Sequence, residues 1–199
     1  MPAAVAVVDS GGANIASLRF ALRRLGHDSV LTTDPQLIAA AERVILPGVG
    51  AARDAMQKLQ AADLVETLRS LTQPLLGICL GMQLLFEHSE EDGADCLGII
   101  GGQVRKLDVA DDQPVPHMGW NRVTKARNAA LLDGIPDGAH FYFVHSYAAD
   151  IVTSTTGITS YGRDFTSVVR QGNFMGTQFH PERSGPRGAQ LLDNFMRLT

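Results

Sequence analysis

Residues Gln73–Phe86 read QPLLGICLGMQLLF. Pro74 opens an apolar run, Leu75 to Cys79, with the length and character of a buried strand. From Leu80 the pattern changes to helical spacing, with Leu80, Leu84 and His88 on one side. Cys79 therefore stands at a strand-to-helix turn. Gly77 and Gly81 lie two residues to either side of it, where a missing Cβ permits a sharp turn and a close approach of neighbouring backbone. Such a turn exposes the sulfur and aims the first free N–H groups of the next helix at whatever lies over it. A buried structural cysteine would also account for Cys79 alone, because Cys is among the most buried residue types. A core cysteine, however, needs neither glycine. A free thiol is only a few per cent thiolate at neutral pH, so a nucleophile here requires activation. A helix N-terminus supplies ~1 kcal/mol of it, and a nearby imidazolium would supply the larger share.

Upstream of this stretch the chain repeats a strand–loop–helix pattern. Ala4 to Val8 is a buried strand, and Asp9 to Asn14 is the loop into a helix whose apolar face is Ile15, Leu18, Leu22 and Leu25 and whose end is Gly26. That loop lacks G-x-G-x-x-G and a following Lys-Ser/Thr, so it reads as a rim loop and is weak as a nucleotide site. A second strand near Ser29 to Leu31 leads to a short helix started by Asp34-Pro35, and Arg43 to Leu46 gives a third strand. This strand runs into Pro47-Gly48-Val49-Gly50, which is either a plain turn or a segment whose glycines let peptides rotate and present N–H groups to a ligand. Helices follow from about Ala51 and from Leu64, the latter with Asp63 and Glu66 at capping-box spacing.

Downstream, Ser89 to Gly93 reads as a solvated acidic loop without a function. Asp108 to Pro116 is a surface loop ending in Pro116-His117-Met118-Gly119-Trp120-Asn121. Its tryptophan, the only one in the chain, suits a core position and an interface anchor equally. From Ala139 short alternating segments predict strands over His140–Val144, Gly157–Tyr161, Ser167–Arg170 and Asn173–Phe179, partly antiparallel, with Gly172-Asn173 as a tight hairpin. An amphipathic helix, Arg187 to Leu198, closes one face through Leu191, Leu192, Phe195 and Met196.

The second chemical cluster is Gln178-Phe179-His180-Pro181-Glu182. Pro181 biases His180 towards an extended backbone and fixes its own φ, which stiffens the corner. In extended chain His180 and Glu182 project to one side, so the carboxylate can hold one ring nitrogen while the other faces a thiol. Alone, the pair would read as a surface histidine beside a solvated glutamate. With the Cys79 turn it makes a nucleophile, base and orienter. A zinc site is not indicated, because H-x-E lacks the P-C-x-x-C of the deaminases and no histidine pair makes H-E-x-x-H.

With 199 residues of which 45% are apolar, the chain is large enough to bury a full core as one α/β domain spanning 1–199. A net charge of −4 and the absence of a basic cluster argue against nucleic acid as a partner. Cys79 and Cys96 are the only cysteines, without C-x-x-C, which fits a reducing cytoplasm. The run Ala3–Val8 lacks a basic flank, and no apolar stretch approaches the ~18 residues of a membrane span, so a soluble chain that is not exported is expected.

G-I-C-L-G-M-Q at Gly77–Gln83, with H-P-E at His180–Glu182, resembles the class I glutamine amidotransferases. More narrowly, P-G-V-G at Pro47–Gly50, P-H-M-G-W-N at Pro116–Asn121, Y-F-V-H-S-Y at Tyr142–Tyr147 and Q-F-H-P-E-R-S at Gln178–Ser184 resemble the glutaminase subunits of imidazole glycerol phosphate synthase, over essentially the whole chain. The resemblance implies a flavodoxin-like fold, a central mixed, mostly parallel sheet flanked by helices, and hydrolysis of glutamine without a cofactor or metal. It casts Cys79 as nucleophile, His180 as proton carrier and Glu182 as its orienter. The oxyanion would be held by the N–H groups of Leu80 and, after a peptide flip, Val49. Glutamine would be held by Gly48, Gly50, Gln83 and the backbone around Ser146 and Tyr147. Ammonia would pass to a heterodimer partner, a separate TIM-barrel cyclase subunit, with Asn14, Trp120 and Arg183 as interface candidates.

Two departures stand out. The first loop is Asp9-Ser10-Gly11-Gly12-Ala13-Asn14 where D-Y-G-x-G-N is frequent, and Ala51-Ala52-Arg53 follows P-G-V-G where an aromatic is common. Glutaminases of anthranilate synthase and of pyridoxal phosphate synthase share the triad but tend to show C-L-G-H-Q or G-G-E-S. A glutamine-binding regulatory subunit without catalysis is the alternative from another class, against which the intact Cys79, His180 and Glu182 speak.

Overall fold

The computed structural model describes residues 4–10, 15–109 and 113–198. The first part of the chain alternates strand and helix: β1 (Val5–Val8), α1 (Ile15–Arg24), β2 (Ser29–Thr32), α2 (Pro35–Ala40), β3 (Arg43–Gly48), α3 (Ala52–Ala61), α4 (Leu64–Arg69), β4 (Leu75–Cys79) and the single turn α5 (Leu80–Gln83). Every residue of β1 and of β4 is buried. Strands covered by helices on both faces have no polar side to show, which is why these segments are unbroken apolar runs.

The second part is strand-rich: β5 (His88–Ser89), β6 (Ala94–Asp95), β7 (Gln103–Lys106), β8 (His117–Lys125), β9 (Ala139–His145), β10 (Tyr147–Ala149), β11 (Thr155–Tyr161), β12 (Arg163–Gln171) and β13 (Phe174–Thr177), closed by α6 (Gly185–Arg197). The mixed sheet runs β2-β1-β3-β4-β13-β12-β10-β7-β5-β6, and a branch from β12 continues through β11 and β8 to β9. From β2 to β13 all pairings are parallel. β12 then pairs antiparallel with β13 across the predicted Gly172-Asn173 hairpin, where Gly172 has φ +61°.

Two apolar layers sandwich the parallel part. One face is covered by Ile38 of α2, Met56 and Leu59 of α3, and Leu64 and Leu68 of α4. The other is covered by Leu18 and Leu22 of α1 and by Leu191, Leu192 and Phe195 of α6, with Phe141 and Phe143 of β9. The α/β architecture expected from the sequence is the one adopted. In it the carboxyl ends of β3, β4 and β13 lie side by side, with Gly48 in register with Cys79 and Thr177 with Ile78. In open parallel sheets ligands bind beyond those ends.

Two signals carried by neighbouring residues hold, and a third does not. Asp34 caps α2 by accepting from the Gln36 amide at 2.8 Å. Gly26, at φ +86°, ends α1, and the His27 amide returns to the Leu22 carbonyl at 3.0 Å. The capping box is a correction: Asp63 sits at φ 56°, ψ 30° with no side-chain cap bond, and Glu66 pairs with Arg69 at 2.8 Å instead. The segment from His117 is a second correction, since it is strand β8 along β9 rather than the end of a surface loop. The helix read over Leu80–Phe86 is confined to Leu80–Gln83, and His88 lies in β5. Among the described residues no helix is long and apolar enough to cross a membrane.

Candidate active site

Cys79 occupies φ 55°, ψ −114°. This is positive φ for a residue with a side chain, a conformation that costs ~1–3 kcal/mol and persists only where packing imposes it. The packing is visible at the two flanking glycines. A Cβ on Gly81 would lie 1.8 Å from the Leu46 carbonyl oxygen, and one on Gly77 would lie 2.6 Å from the Gly81 oxygen. α5 is thus laid directly on the backbones of β3 and β4, and the turn between strand and helix has no room to relax. The Cys79 side of the elbow lies at the carboxyl end of β4, with the residue 8% exposed.

His180 follows β13 and is tied to β9, its amide donating to the Tyr142 carbonyl at 2.9 Å. Its Nδ1 lies 2.8 Å from Glu182 Oε1, and both side chains are buried. The contact is as expected but the route is not. His180 is extended, at φ −95°, ψ 99°, whereas Pro181–Arg183 form a single 3-10 turn that folds the carboxylate back onto the ring. Among the described residues nothing reaches Glu182 Oε2. Burial alone would push the His180 pKa down. Hydrogen bonds to Cys79 and Glu182, reinforced by their charges, outweigh it and raise the imidazole to about 10. These partners favour the ring carrying a proton on both nitrogens at neutral pH.

Around the sulfur, Cys79 Sγ lies 3.8 Å from the Val144 carbonyl oxygen and 3.8 Å from Gln178 Nε2. Gln178 Oε1 accepts from Gln83 Nε2 at 2.9 Å, and the same nitrogen donates to the Tyr147 carbonyl at 2.8 Å. The structure thus brings Gln83 and Tyr147 to Cys79 through Gln178, a residue to which the sequence reading gave no role. The signal was available, since Gln178 stands two before His180 and alternation places i and i+2 on one side of extended chain. Ser146 enters differently, its carbonyl accepting from the Leu107 amide at 2.9 Å.

Gly48 packs against the elbow, where an added Cβ would come within 2.7 Å of the Gly81 nitrogen. Beyond it Val49 is 38% exposed and Gly50 has φ +94°. This segment is fastened on both sides. Ser10 Oγ donates to the Pro47 carbonyl at 2.7 Å. Glu91 Oε2 accepts from the Ala52 amide at 2.9 Å, while Arg53 contacts the Asp92 carbonyl. The acidic loop, read as functionless, in fact caps α3 immediately behind P-G-V-G. Burial raises the Glu91 carboxyl above its ordinary range, the Ala52 amide opposes the rise, and the Asp92 charge adds to it. Leu80 opens α5, so its N–H belongs to the free amides of a first turn.

Of the interface candidates, Trp120 is 56% exposed on β8. Its ring stands edge-on to Tyr142 of β9 at 6.1 Å, and the Arg183 guanidinium lies 4.4 Å over the same Tyr142 ring. Trp120 and Arg183 are therefore gathered round Tyr142, with Met118 also exposed along β8. Asn14 lies outside the described residues. Among the described residues no group of three or more His, Cys, Asp or Glu is placed to hold a metal ion.

A parallel sheet with a thiol on a strained elbow at its carboxyl edge, facing a histidine held by a glutamate, defines a class of amide-cleaving proteins. The model of the glutamine amidotransferase class-I family matches residues 6–198, and the chain belongs to that family. The solved structure of a putative GMP synthase component from Thermoplasma acidophilum shares the fold, with a TM-score of 0.75 at 21% identity over 98% of this chain and 93% of that one. More particularly, the imidazole glycerol phosphate synthase subunit HisH of Xanthomonas axonopodis pv. citri is 52% identical over 195 residues, 98% of each chain. The HisH subunit of Xylella fastidiosa is 51% identical over 194 residues, 98% of this chain and 97% of that one. These relatives set the chain within the HisH branch of the family.

Proposed function

We propose that this chain is the glutaminase subunit of imidazole glycerol phosphate synthase, hydrolysing glutamine and delivering ammonia to a cyclase subunit that forms imidazole glycerol phosphate and aminoimidazole carboxamide ribotide. The observation that carries the chemistry is Cys79 on its strained elbow, close enough to a buried His180 to raise its pKa, with Glu182 2.8 Å from the His180 Nδ1. The Cys79 thiolate attacks the side-chain amide carbon, and the carbonyl electrons move onto oxygen. N–H groups of Leu80 and, after its peptide turns over, Val49 hold that oxyanion, and losing one such donor costs ~3 kcal/mol in the barrier. Collapse breaks the C–N bond as the imidazolium of His180 protonates the departing nitrogen, leaving ammonia and a thioester on Cys79. His180, now neutral, takes a proton from water as the water attacks the thioester. Glutamate leaves and the thiolate–imidazolium pair is restored.

Glutamine is held by Gln83, by the backbone around Ser146 and Tyr147, and at the rim by Gly48 and Gly50. Both protons of the Gln83 amide nitrogen are engaged, by Tyr147 and Gln178, which leaves its Oε1 for a ligand. Trp120 and Arg183, with Asn14, are the proposed contacts to the cyclase; an exposed aromatic backed by Tyr142 and a guanidinium is the type of anchor that interfaces bury.

The test is glutamate release by the chain alone and with the cyclase plus its ribonucleotide ligand, against Cys79→Ala. Release in the complex that disappears in Cys79→Ala is expected. No release from the intact complex would remove the catalytic assignment and leave a glutamine-binding regulator.

A further inference from the structure

His117 and His145, in the P-H-M-G-W-N and Y-F-V-H-S-Y segments, play no part in the chemistry above. They are register partners across β8 and β9, both buried, with His117 Nδ1 3.0 Å from His145 Nε2. Their protonation can be deduced by following the bonds outward. His145 Nδ1 lies 2.8 Å from the Tyr147 carbonyl oxygen, which can only accept, so Nδ1 carries a proton. On a neutral ring Nε2 is then an acceptor, and the facing His117 Nδ1 must donate to it. His117 Nε2 becomes an acceptor in turn, and Asn121 Nδ2 stands 3.3 Å away to supply it. The rest of the amide is fixed, with Asn121 Nδ2 also donating to the Ser160 carbonyl at 3.1 Å and the Asn121 Oδ1 accepting from the Arg122 amide at 2.7 Å. Every proton in the chain has one allowed place while both rings are neutral.

The output of this chain is the Tyr147 carbonyl. Its other partner is Gln83 Nε2 at 2.8 Å, which also meets Gln178, whose own amide nitrogen lies 3.8 Å from the nucleophilic sulfur. Two buried imidazoles fill a core less favourably than an apolar pair of similar shape, because each polar atom must find a partner. His117 is already stacked on Tyr161 at 3.9 Å and on Phe143 at 5.0 Å, so a phenyl ring would suit its surroundings. What imidazoles add is a donor of fixed position at Tyr147.

We propose that His117 and His145 form a neutral imidazole relay that positions the Tyr147 carbonyl, and through it Gln83, for glutamine binding. The relay rests on the proposed role of Gln83, and both histidines are positioning residues.

The test measures glutamine affinity in the complex with the cyclase, in a Cys79→Ala background so that no hydrolysis is needed. His145→Phe keeps a flat ring but removes the donor, and is expected to weaken glutamine binding roughly tenfold, the worth of one well-placed hydrogen bond. His145→Asn, whose Nδ2 stands where Nδ1 was, is expected to restore affinity to within about threefold. Thermal unfolding of each variant separates this from a loss of fold, since a merely structural role would lower the midpoint without distinguishing Asn from Phe in affinity. Unchanged affinity in His145→Phe, or Asn no better than Phe at equal stability, overturns the relay. Nitrogen NMR of the intact chain at neutral pH gives a second readout, with both rings expected neutral and protonated at Nδ1. A ring protonated at Nε2 overturns the relay whatever the affinities. If the parent complex binds glutamine with this pattern but releases no glutamate, the hydrolytic reading falls and the relay stands.

Discussion

Replacing Gly81 by alanine asks whether the elbow is as tightly built as its geometry implies. The new Cβ would lie 1.8 Å from the Leu46 carbonyl oxygen and 2.8 Å from its carbon, against an ordinary contact of 3.4–4 Å. The obstacle is backbone of a strand whose Leu46 is in register with Gly77 of β4, so it cannot step aside without disturbing the central parallel pairing. Overpacking typically costs ~1–3 kcal/mol, and a clash with strand backbone belongs at the upper end. For a chain of this size ~3 kcal/mol lowers the thermal midpoint by roughly 6–12 °C. If α5 gives instead, Cys79 moves relative to His180, and a misplacement of ~1 Å costs about a hundredfold in rate. Differential scanning calorimetry of the chain and glutaminase turnover in the cyclase complex measure the two routes. Gly101→Ala is the control, because nothing lies within 4 Å of its added Cβ, and a change within about 0.5 kcal/mol is expected there. A Gly81→Ala protein that melts and turns over like the parent would refute the claim that the elbow is held by backbone contact.

Other perturbations test separate parts. His180 is raised from 6.5 to about 10, so its contribution to stability is complete below pH 6.5 and is lost as pH rises through about 10; the alkaline limb of glutaminase activity is expected near 10. Glu182→Gln should draw that limb down and cut turnover on the order of 10²-fold or more, and an unchanged pH profile would count against Glu182 as the orienter. His145 and His117 are lowered by burial, His145 to about 3 and His117 to about 4, so the unfolded chain binds their protons first as pH falls from 6.5. Stability should fall over that interval, and a urea titration series should show a shallower decline in His145→Phe. Glu91→Ala removes the cap on Ala52 and should cost ~1 kcal/mol by urea unfolding. Trp120→Ala should weaken association with the cyclase by ~2 kcal/mol, about thirtyfold by calorimetric titration, and an unchanged affinity would take Trp120 out of the interface.

The parts of the fold legible in the sequence are those fixed within a few residues. The Cys79 turn showed itself because two glycines must flank it, and α2 because Asp34 reaches an amide two residues on. Much of what escaped depends on distant partners. Glu91 caps a helix whose first amide lies 39 residues away, so its role could not be seen in an acidic run. The stretch from His117 carried the glycine and asparagine of a loop, yet an unbroken register with β9 makes it a strand, in which Gly119 stands at φ +133°. Asp63 was spaced for a capping box, but at φ 56° its amide N–H donates to the Gln60 carbonyl at the junction of α3 and α4, where Leu64 is buried. For the candidate site, Cys79, His180 and Glu182, the proposed nucleophile, base and orienter, stood out in their motifs. The links between them could not, since Gln178, Tyr147 and the two relay histidines meet only through strand register.

The fastening of Pro47–Gly50 has a mechanical consequence. Ser10 grips the carbonyl of its first residue, Pro47, and Glu91 grips the Ala52 amide beyond its end, while Val49 between them stands open to solvent. A span anchored at both ends behaves as a crankshaft: one peptide plane can rotate about the fixed line joining the anchors without transmitting displacement to β3 or α3. Rotation of that kind changes which way an amide points while the sheet, the sulfur and the imidazole stay where they are, so under the proposed oxyanion role of Val49 the site is armed or disarmed at the scale of a single bond.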